Sequence, residues 1–263
     1  MFFSKIRSFV GKFFSEYQQM KIIILLSAIF WSLRKYFLGI VLKYDKKFIA
    51  NWNFIKKYQS SQDKIRNFDL YQLLKIHNRI FKNKKTNIIE FGVSRGTSLR
   101  TIAKFCKNNT NIFGVDQFGE DSNNILINKK YDLHYTYTPF KANDRFRNFN
   151  YINLKKSLNK AFNKKNKYIY LIKFNIKKKE DLNKIELLKK KKFSFIHLDL
   201  DLFHPTLEVI KYLKNKIEKK GIMIIDDYNN INQTGVWEAV NSSKLDKSRT
   251  FQSASGQLFY FNI

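Results

Sequence analysis

From about Asn67 onward, short apolar runs alternate with stretches in which apolar residues recur every three or four positions. That pattern predicts strands alternating with helices. Leu70, Leu73, Leu74, Ile76 and Ile80 share one side of a predicted helix over 68–81. A strand is expected over 87–91, a helix over 97–107 and a second strand over 111–115. A polar stretch over 117–149 follows, too long for a tight connection and therefore read as a functional loop. Then come a helix over 151–162, a strand over 168–174, a helix over 180–191 and a strand over 193–198. A helix over 205–219 opens on Pro205, a favourable residue for a first helical turn. A strand over 221–225, a helix over 236–244 and a strand pair over 250–253 and 257–261 close the chain. Such alternation predicts an α/β fold, with a mainly parallel sheet covered by helices on both faces.

Residues 1–65 read differently: helical, basic and aromatic, with no chemical motif. We treat them as an N-terminal helical extension to an α/β domain over 66–263. Within the extension, Ile22 to Leu33 is apolar, Arg34 and Lys35 interrupt, and Phe37 to Leu42 is apolar again. Neither run reaches the roughly 20 uncharged residues of a membrane span. The first starts too far in, and lacks a following small-residue site, to read as a secretory signal. An amphipathic helix is the better expectation. It would lie over the protein's own core as a lid, contact a second copy, or touch a membrane surface through residues 20–45.

Composition changes this picture little. Of 263 residues, 44% are hydrophobic, enough for a sizeable core. Fifty Lys and Arg against 21 Asp and Glu give a net charge of +29, which favours anionic partners. The lysines fall in short solvated runs, at 177–179 and 189–192, and not in one stripe interleaved with aromatics. Abundant Lys, Asn, Ile and Phe with few Gly and Pro is the composition of an AT-rich genome. Nucleic acid is therefore not the expected partner. The one cysteine, Cys106, excludes an internal disulfide or a cysteine zinc cluster and fits a reducing, cytoplasmic compartment. That location includes the inner face of a membrane if the extension touches one.

Chemistry concentrates at strand ends. Glu90-Phe91-Gly92-Val93-Ser94-Arg95-Gly96-Thr97-Ser98 lies between a strand and a helix. Gly92 and Gly96 permit a tight turn and close ligand approach, and the helix start offers free N–H groups. The segment is not a Walker loop and lacks the three-glycine dinucleotide fingerprint. Asp116 ends the next strand, where a carboxylate can accept from both hydroxyls of a ribose. Taken singly, these are a turn and a helix cap found in many α/β proteins. Together they point to a nucleoside-containing cofactor.

The strongest feature is a pair of acidic strand ends, Asp199 with Asp201 and Asp226 with Asp227. One crossover helix separates the two strands, which predicts parallel neighbours about 4.8 Å apart. Both acid pairs then share the carboxyl edge of the sheet, where open α/β sheets bind ligands. Carboxylates crowded there repel one another, and a hard divalent cation such as Mg²⁺ would relieve it. The alternative is separate loop carboxylates, each capping a helix or pairing with lysine.

The run from Phe195 to Thr206 (FIHLDLDLFHPT), continued by Gly221 to Tyr228 (GIMIIDDY), resembles the macrocin O-methyltransferase family. The 27-residue step from Asp199 to Asp226, the 90–98 segment, Gly114 to Phe118 and Gly235 to Val240 share the likeness. It covers about residue 67 to the end. Thr97, Leu200 and Asn175 depart from the pattern. The resemblance implies a Rossmann-like class I methyltransferase using S-adenosylmethionine and Mg²⁺ on a sugar hydroxyl of a glycan or glycosylated metabolite. It implies that Glu90, Phe91, Gly92, Gly96, Thr97, Ser98 and Asp116 form the cofactor site. It further implies that Asp199, Asp226 and Asp227 bind the metal, with Asp199 doubling as the base. His134, Asp201, His204 and Tyr228 are candidate substrate contacts, and His197 is expected to be a packed core residue. The alternatives are an RNA methyltransferase, favoured only by charge, and a non-catalytic scaffold keeping the fold. A homo-oligomer is compatible with the sequence.

Overall fold

The computed structural model describes residues 45–56, 64–118, 126–132, 151–162, 167–176, 179–230, 233–253 and 255–263. Two helices come first, α1 (Lys46–Lys56) and α2 (Lys64–Ile80). Then follow β1 (Thr86–Phe91), α3 (Thr97–Phe105), β2 (Thr110–Asp116), α4 (Tyr151–Phe162) and β3 (Lys167–Lys173). Two one-turn helices, α5 (Lys179–Leu182) and α6 (Glu186–Lys189), precede β4 (Phe193–Leu198) and α7 (Phe203–Leu213). The chain ends with β5 (Ile217–Ile225), α8 (Thr234–Ser242), β6 (Thr250–Gln252) and β7 (Leu258–Phe261).

The strands form one sheet in the order β3-β2-β1-β4-β5-β7-β6. The first five are parallel, and β7 runs antiparallel to both β5 and β6. Alternate side chains leave opposite faces of each strand, and here both faces are apolar. Ile89, Phe113, Ile196 and Ile225 meet Val209, Ile210 and Leu213 of α7 and Val236 and Val240 of α8. Their neighbours Ile88, Ile112, Phe195 and Ile224 meet Leu70 and Leu74 of α2, Leu99 and Ile102 of α3, and Leu154 and Leu158 of α4. This three-layer α/β sandwich is Rossmann-like, as the alternation of strands and helices predicts.

Helix α1 docks through a smaller cluster in which Phe48 and Trp52 pack against Ile65 and Tyr71 of α2. Burying Phe48 contributes roughly 1.5–3 kcal/mol. Helix α2 in turn packs on α3 and crosses position 65, so the described part of the extension is continuous with the domain. No helix among the described residues is long and apolar enough to cross a membrane. Residues 20–44 lie outside the described residues.

Three expected elements differ most. The helix expected over 68–81 begins four residues earlier, at Lys64. The segment 180–191 is split into α5 and α6. The helix expected over 205–219 begins two residues earlier, at Phe203, and stops at Leu213, and Ile217–Lys220 belongs to β5. Lys and Glu favour helix there, but Ile217 pairs with Phe193 of β4. Asn262 also donates to the carbonyls of Ile217 and Glu218. Tertiary pairing overrides local propensity.

Candidate active site

Parallel pairing brings the carboxyl ends of β1, β2, β4 and β5 to one edge, with Phe91 opposite Val115 and Leu198, and Leu198 opposite Ile225. The turn after β1 is fitted tightly into this edge. Gly92 has φ +84°, and a Cβ there would stand 1.8 Å from the carbonyl oxygen of Asp199. No other residue can occupy that position without moving the backbone. Gly92 N donates to the Val115 carbonyl and Asp199 N to the Phe91 carbonyl, both at 2.9 Å, lacing the three strand ends together.

Asp116 faces this turn from β2. Its two oxygens accept from Ser94 N at 2.8 Å and Phe118 N at 2.7 Å. Burial raises its pKa, and these backbone donors oppose the rise. Glu90 is fully buried; its Oε1 accepts from the Ser98 hydroxyl and lies 2.8 Å from His197 Nδ1 on the neighbouring strand. Burial raises the Glu90 pKa, with His197 opposing. The Phe91 side chain is in the core, so only its backbone faces the turn. Gly96 precedes α3 in left-handed conformation, and Thr97 and Ser98 are buried in its first turn.

The acid pairs converge. One carboxylate oxygen each from Asp199, Asp201 and Asp227 lies within 4.8 Å of the others. Asp201 and Asp227 both have positive φ, 62° and 56°, a conformation costing about 1 kcal/mol or more for a residue with a side chain. Gln233 donates to Asp201, and Asn230 donates to Asp227 Oδ1 at 2.9 Å and to Gln233. Asp226 is turned deeper: its Oδ1 accepts from Asp227 N at 2.9 Å, while its buried Oδ2 has no hydrogen-bond partner. Arg66 of α2 forks across the pair, Nη1 3.1 Å from Asp226 Oδ1 and Nη2 2.6 Å from Asp227 Oδ1.

The electrostatics follow from burial and crowding. Asp199 is pushed well above the ordinary carboxylate range, first by burial and then by repulsion from Asp226, Asp201 and Asp227. Burial also raises Asp226, with Arg66 opposing. Burial works against the charge of Asp227 too, yet Arg66 and the hydrogen bonds Asp227 shares with Asp201 and Asn230 outweigh it and hold its pKa down. For Arg66, burial is outweighed by the carboxylates, and its pKa is raised. Clustered carboxylates and one orphaned oxygen are chemically suited to a hard divalent cation, with the Arg66 guanidinium compensating part of their charge.

Of the sequence candidates, Asp199, Asp201, Asp226 and Asp227 share one site, next to Gly92. His197 is buried as expected, but it is also paired with Glu90. His204 and Tyr228 are half-buried beside the acid segments, and His134 lies outside the described residues. Sequence reasoning missed Arg66, Asn230, Gln233 and Asp132. The Asp132 carboxylate is buried, accepting from Phe203 N at the start of α7 and from Asn128 N, each at 2.8 Å. Its pKa is pushed up to about 6 by burial, against those two donors.

The family described as "Methyltransferase domain" matches residues 89–228, from β1 to the second acid pair. Among curated proteins no relative matches. Two solved structures share the fold. One is the calicheamicin methyltransferase CalS11, 16% identical, with TM-score 0.54 over 82% of this chain and 93% of that one. The other is the O-methyltransferase NovP, 13% identical, with TM-score 0.54 over 74% of this chain and 78% of that one.

Proposed function

Since the chain belongs to the methyltransferase-domain family, and is thereby a class I, S-adenosylmethionine-dependent enzyme, we propose that it methylates a sugar hydroxyl with the help of Mg²⁺. The observation that carries this reading is the convergence of Asp199, Asp201 and Asp227 beside the Gly92 turn. The sugar preference rests on the motif resemblance; CalS11, which shares the fold, is named as a calicheamicin methyltransferase.

S-adenosylmethionine supplies an electrophilic methyl group on a sulfonium. The tight turn from Gly92 to Gly96, with the backbone around Ser94, would receive such a cofactor, and Asp116 at the end of β2 fixes that turn. Asp199, Asp226 and Asp227, with Asp201 alongside, would hold the cation, which lowers the pKa of a hydroxyl brought to it. Asp199 accepts the hydroxyl proton; its crowded, buried setting gives the carboxylate high proton affinity, as a general base requires. Asn230 and Gln233 keep Asp201 and Asp227 aimed at the same point. Tyr228, His204 and His134 are candidates to line the acceptor side. Orienting acceptor and donor in line can supply roughly 7–11 kcal/mol of the barrier reduction.

We place the enzyme in the cytoplasm, in keeping with its lone buried cysteine, and assign residues 20–45 a contact with a membrane surface or a second copy. Purified protein incubated with S-adenosylmethionine and a panel of sugar acceptors should methylate at least one. EDTA should stop the transfer and Mg²⁺ restore it. Transfer to RNA that persists in EDTA would replace the sugar reading. A folded protein that binds no S-adenosylhomocysteine would overturn both readings in favour of a scaffold.

A further inference from the structure

We infer that Arg66 is a positioning residue of the acid cluster, fixing the carboxylates of Asp226 and Asp227 in the arrangement that holds a divalent cation. This rests on the cation site proposed above. Asp226 Oδ1 is held by Arg66 and by Asp227 N, and its Oδ2 is buried without a partner. Asp227 Oδ1 is held by Arg66 and by Asn230, and the Asp227 carboxylate also meets Asp201 within the acid cluster. One guanidinium thus takes one oxygen from each of two consecutive acids.

A planar fork is needed for that task. Two N–H arms in one plane set the rotation of both carboxylates relative to each other, and an ammonium cannot. The fork also ties down Asp227 in its unfavourable backbone conformation. The brace extends to the cofactor turn: Asn67, next to Arg66, accepts at 2.6 Å from the hydroxyl of Thr101 on α3. Helix α2, which precedes the first strand, therefore fastens the acid cluster and the helix of the glycine turn in one step of its chain. Partners that hold ligating carboxylates typically affect metal affinity by 10–100-fold.

The test is Mn²⁺ titration, by calorimetry or electron paramagnetic resonance, of the full chain and its Arg66→Lys variant. That variant keeps the charge and loses the fork. Mn²⁺ binding weakened 10–100-fold, with S-adenosylhomocysteine binding and thermal unfolding little changed, is the expected result. Unchanged affinity would overturn the inference. Tighter binding would also overturn it, because Arg66 would then be a competitor for the cation. If the wild-type chain itself binds no Mn²⁺, the cation site fails and Arg66 loses this role with it, an outcome distinct from a normal wild type with an unaffected variant. Should Arg66→Lys not fold, a crystal structure of the wild type grown with Mn²⁺ decides. An ion beside an intact Arg66 fork supports the assignment, and an expelled Arg66 side chain overturns it.

Discussion

Gly92 and Asp199 meet backbone to backbone: a Cβ on Gly92 would lie 1.8 Å from the Asp199 carbonyl oxygen. The cofactor turn and the first acid of the site are therefore one packed unit, and neither can shift alone. Gly92→Ala meets both the clash and a φ of +84°. It is expected to cost several kcal/mol of stability, within the exceptional range for single substitutions. Thermal unfolding should show a marked drop, and S-adenosylhomocysteine binding should be lost even in protein that remains folded. Near-normal binding would mean that the turn is not the cofactor site.

Asp116 holds the same turn by side chain, through Ser94 N and Phe118 N. Asp116→Ala removes both acceptors and the carboxylate proposed to meet a ribose. S-adenosylhomocysteine affinity should fall at least tenfold, while divalent-cation binding at the acid cluster persists. Calorimetric titration of each ligand separates the two effects. An unchanged cofactor affinity would place the ribose elsewhere.

Much of this was legible because strands buried on both faces announce themselves. Val, Ile and Phe runs marked β1, β2, β4 and the end of β5, and the acids sat where those runs stop; the half-exposed edge strand β3 also carries Tyr and Lys. The short crossover between Asp201 and Gly221 made β4 and β5 neighbours, so the meeting of Asp199 with Asp227 followed from connectivity. Arg66 was not legible. It is one cation among 50 Lys and Arg, and nothing local marks the one that turns inward. Asp132 was hidden for a related reason: its partner, Phe203 N, lies 71 positions along the chain, and capping at that range leaves no spacing to read. The end of α7 was misjudged because pairing of Ile217 with Phe193 is a long-range fact.

Asp199→Asn keeps the size and the backbone contacts of Asp199 but removes the charge and the proton acceptor. Turnover should fall by roughly 10²–10⁴, the usual contribution of a positioned base. S-adenosylhomocysteine affinity should stay within a few-fold of wild type. Steady-state rates with saturating cofactor, set beside a binding titration, check this. Equal losses in both would count against Asp199 as the base.

Asp132 fastens residues 126–132 to the start of α7, two positions after Asp201. Gly235 leaves room for it, since a Cβ there would stand 1.9 Å from Asp132 Oδ1. Asp132→Ala strips the acceptor from Phe203 N and Asn128 N and should cost about 1–3 kcal/mol. Because α7 follows the acid segment directly, turnover should fall too. Denaturant midpoints and initial rates measure the two losses, and a stable variant with full activity would show that this cap is ornamental to the site.

His77 gives a pH dependence remote from the acids. It is fully buried in α2, its Nε2 2.9 Å from the Ser194 hydroxyl and its ring stacked on Phe81 at 4.9 Å. Burial chiefly, with Lys107 adding, pushes its pKa down to about 4. In the unfolded chain the imidazole titrates near 6.5. Below that pH the unfolded chain takes up a proton that the fold refuses. The stabilisation is therefore complete above pH 6.5 and is lost as pH falls toward 4, amounting to roughly 3 kcal/mol. Urea unfolding at pH 7.5 and 4.5 should show a larger loss for the wild type than for His77→Gln, which cannot titrate. The variant starts less stable at pH 7.5, so the comparison is between the two losses. Equal losses would show that His77 takes up its proton without opening the core.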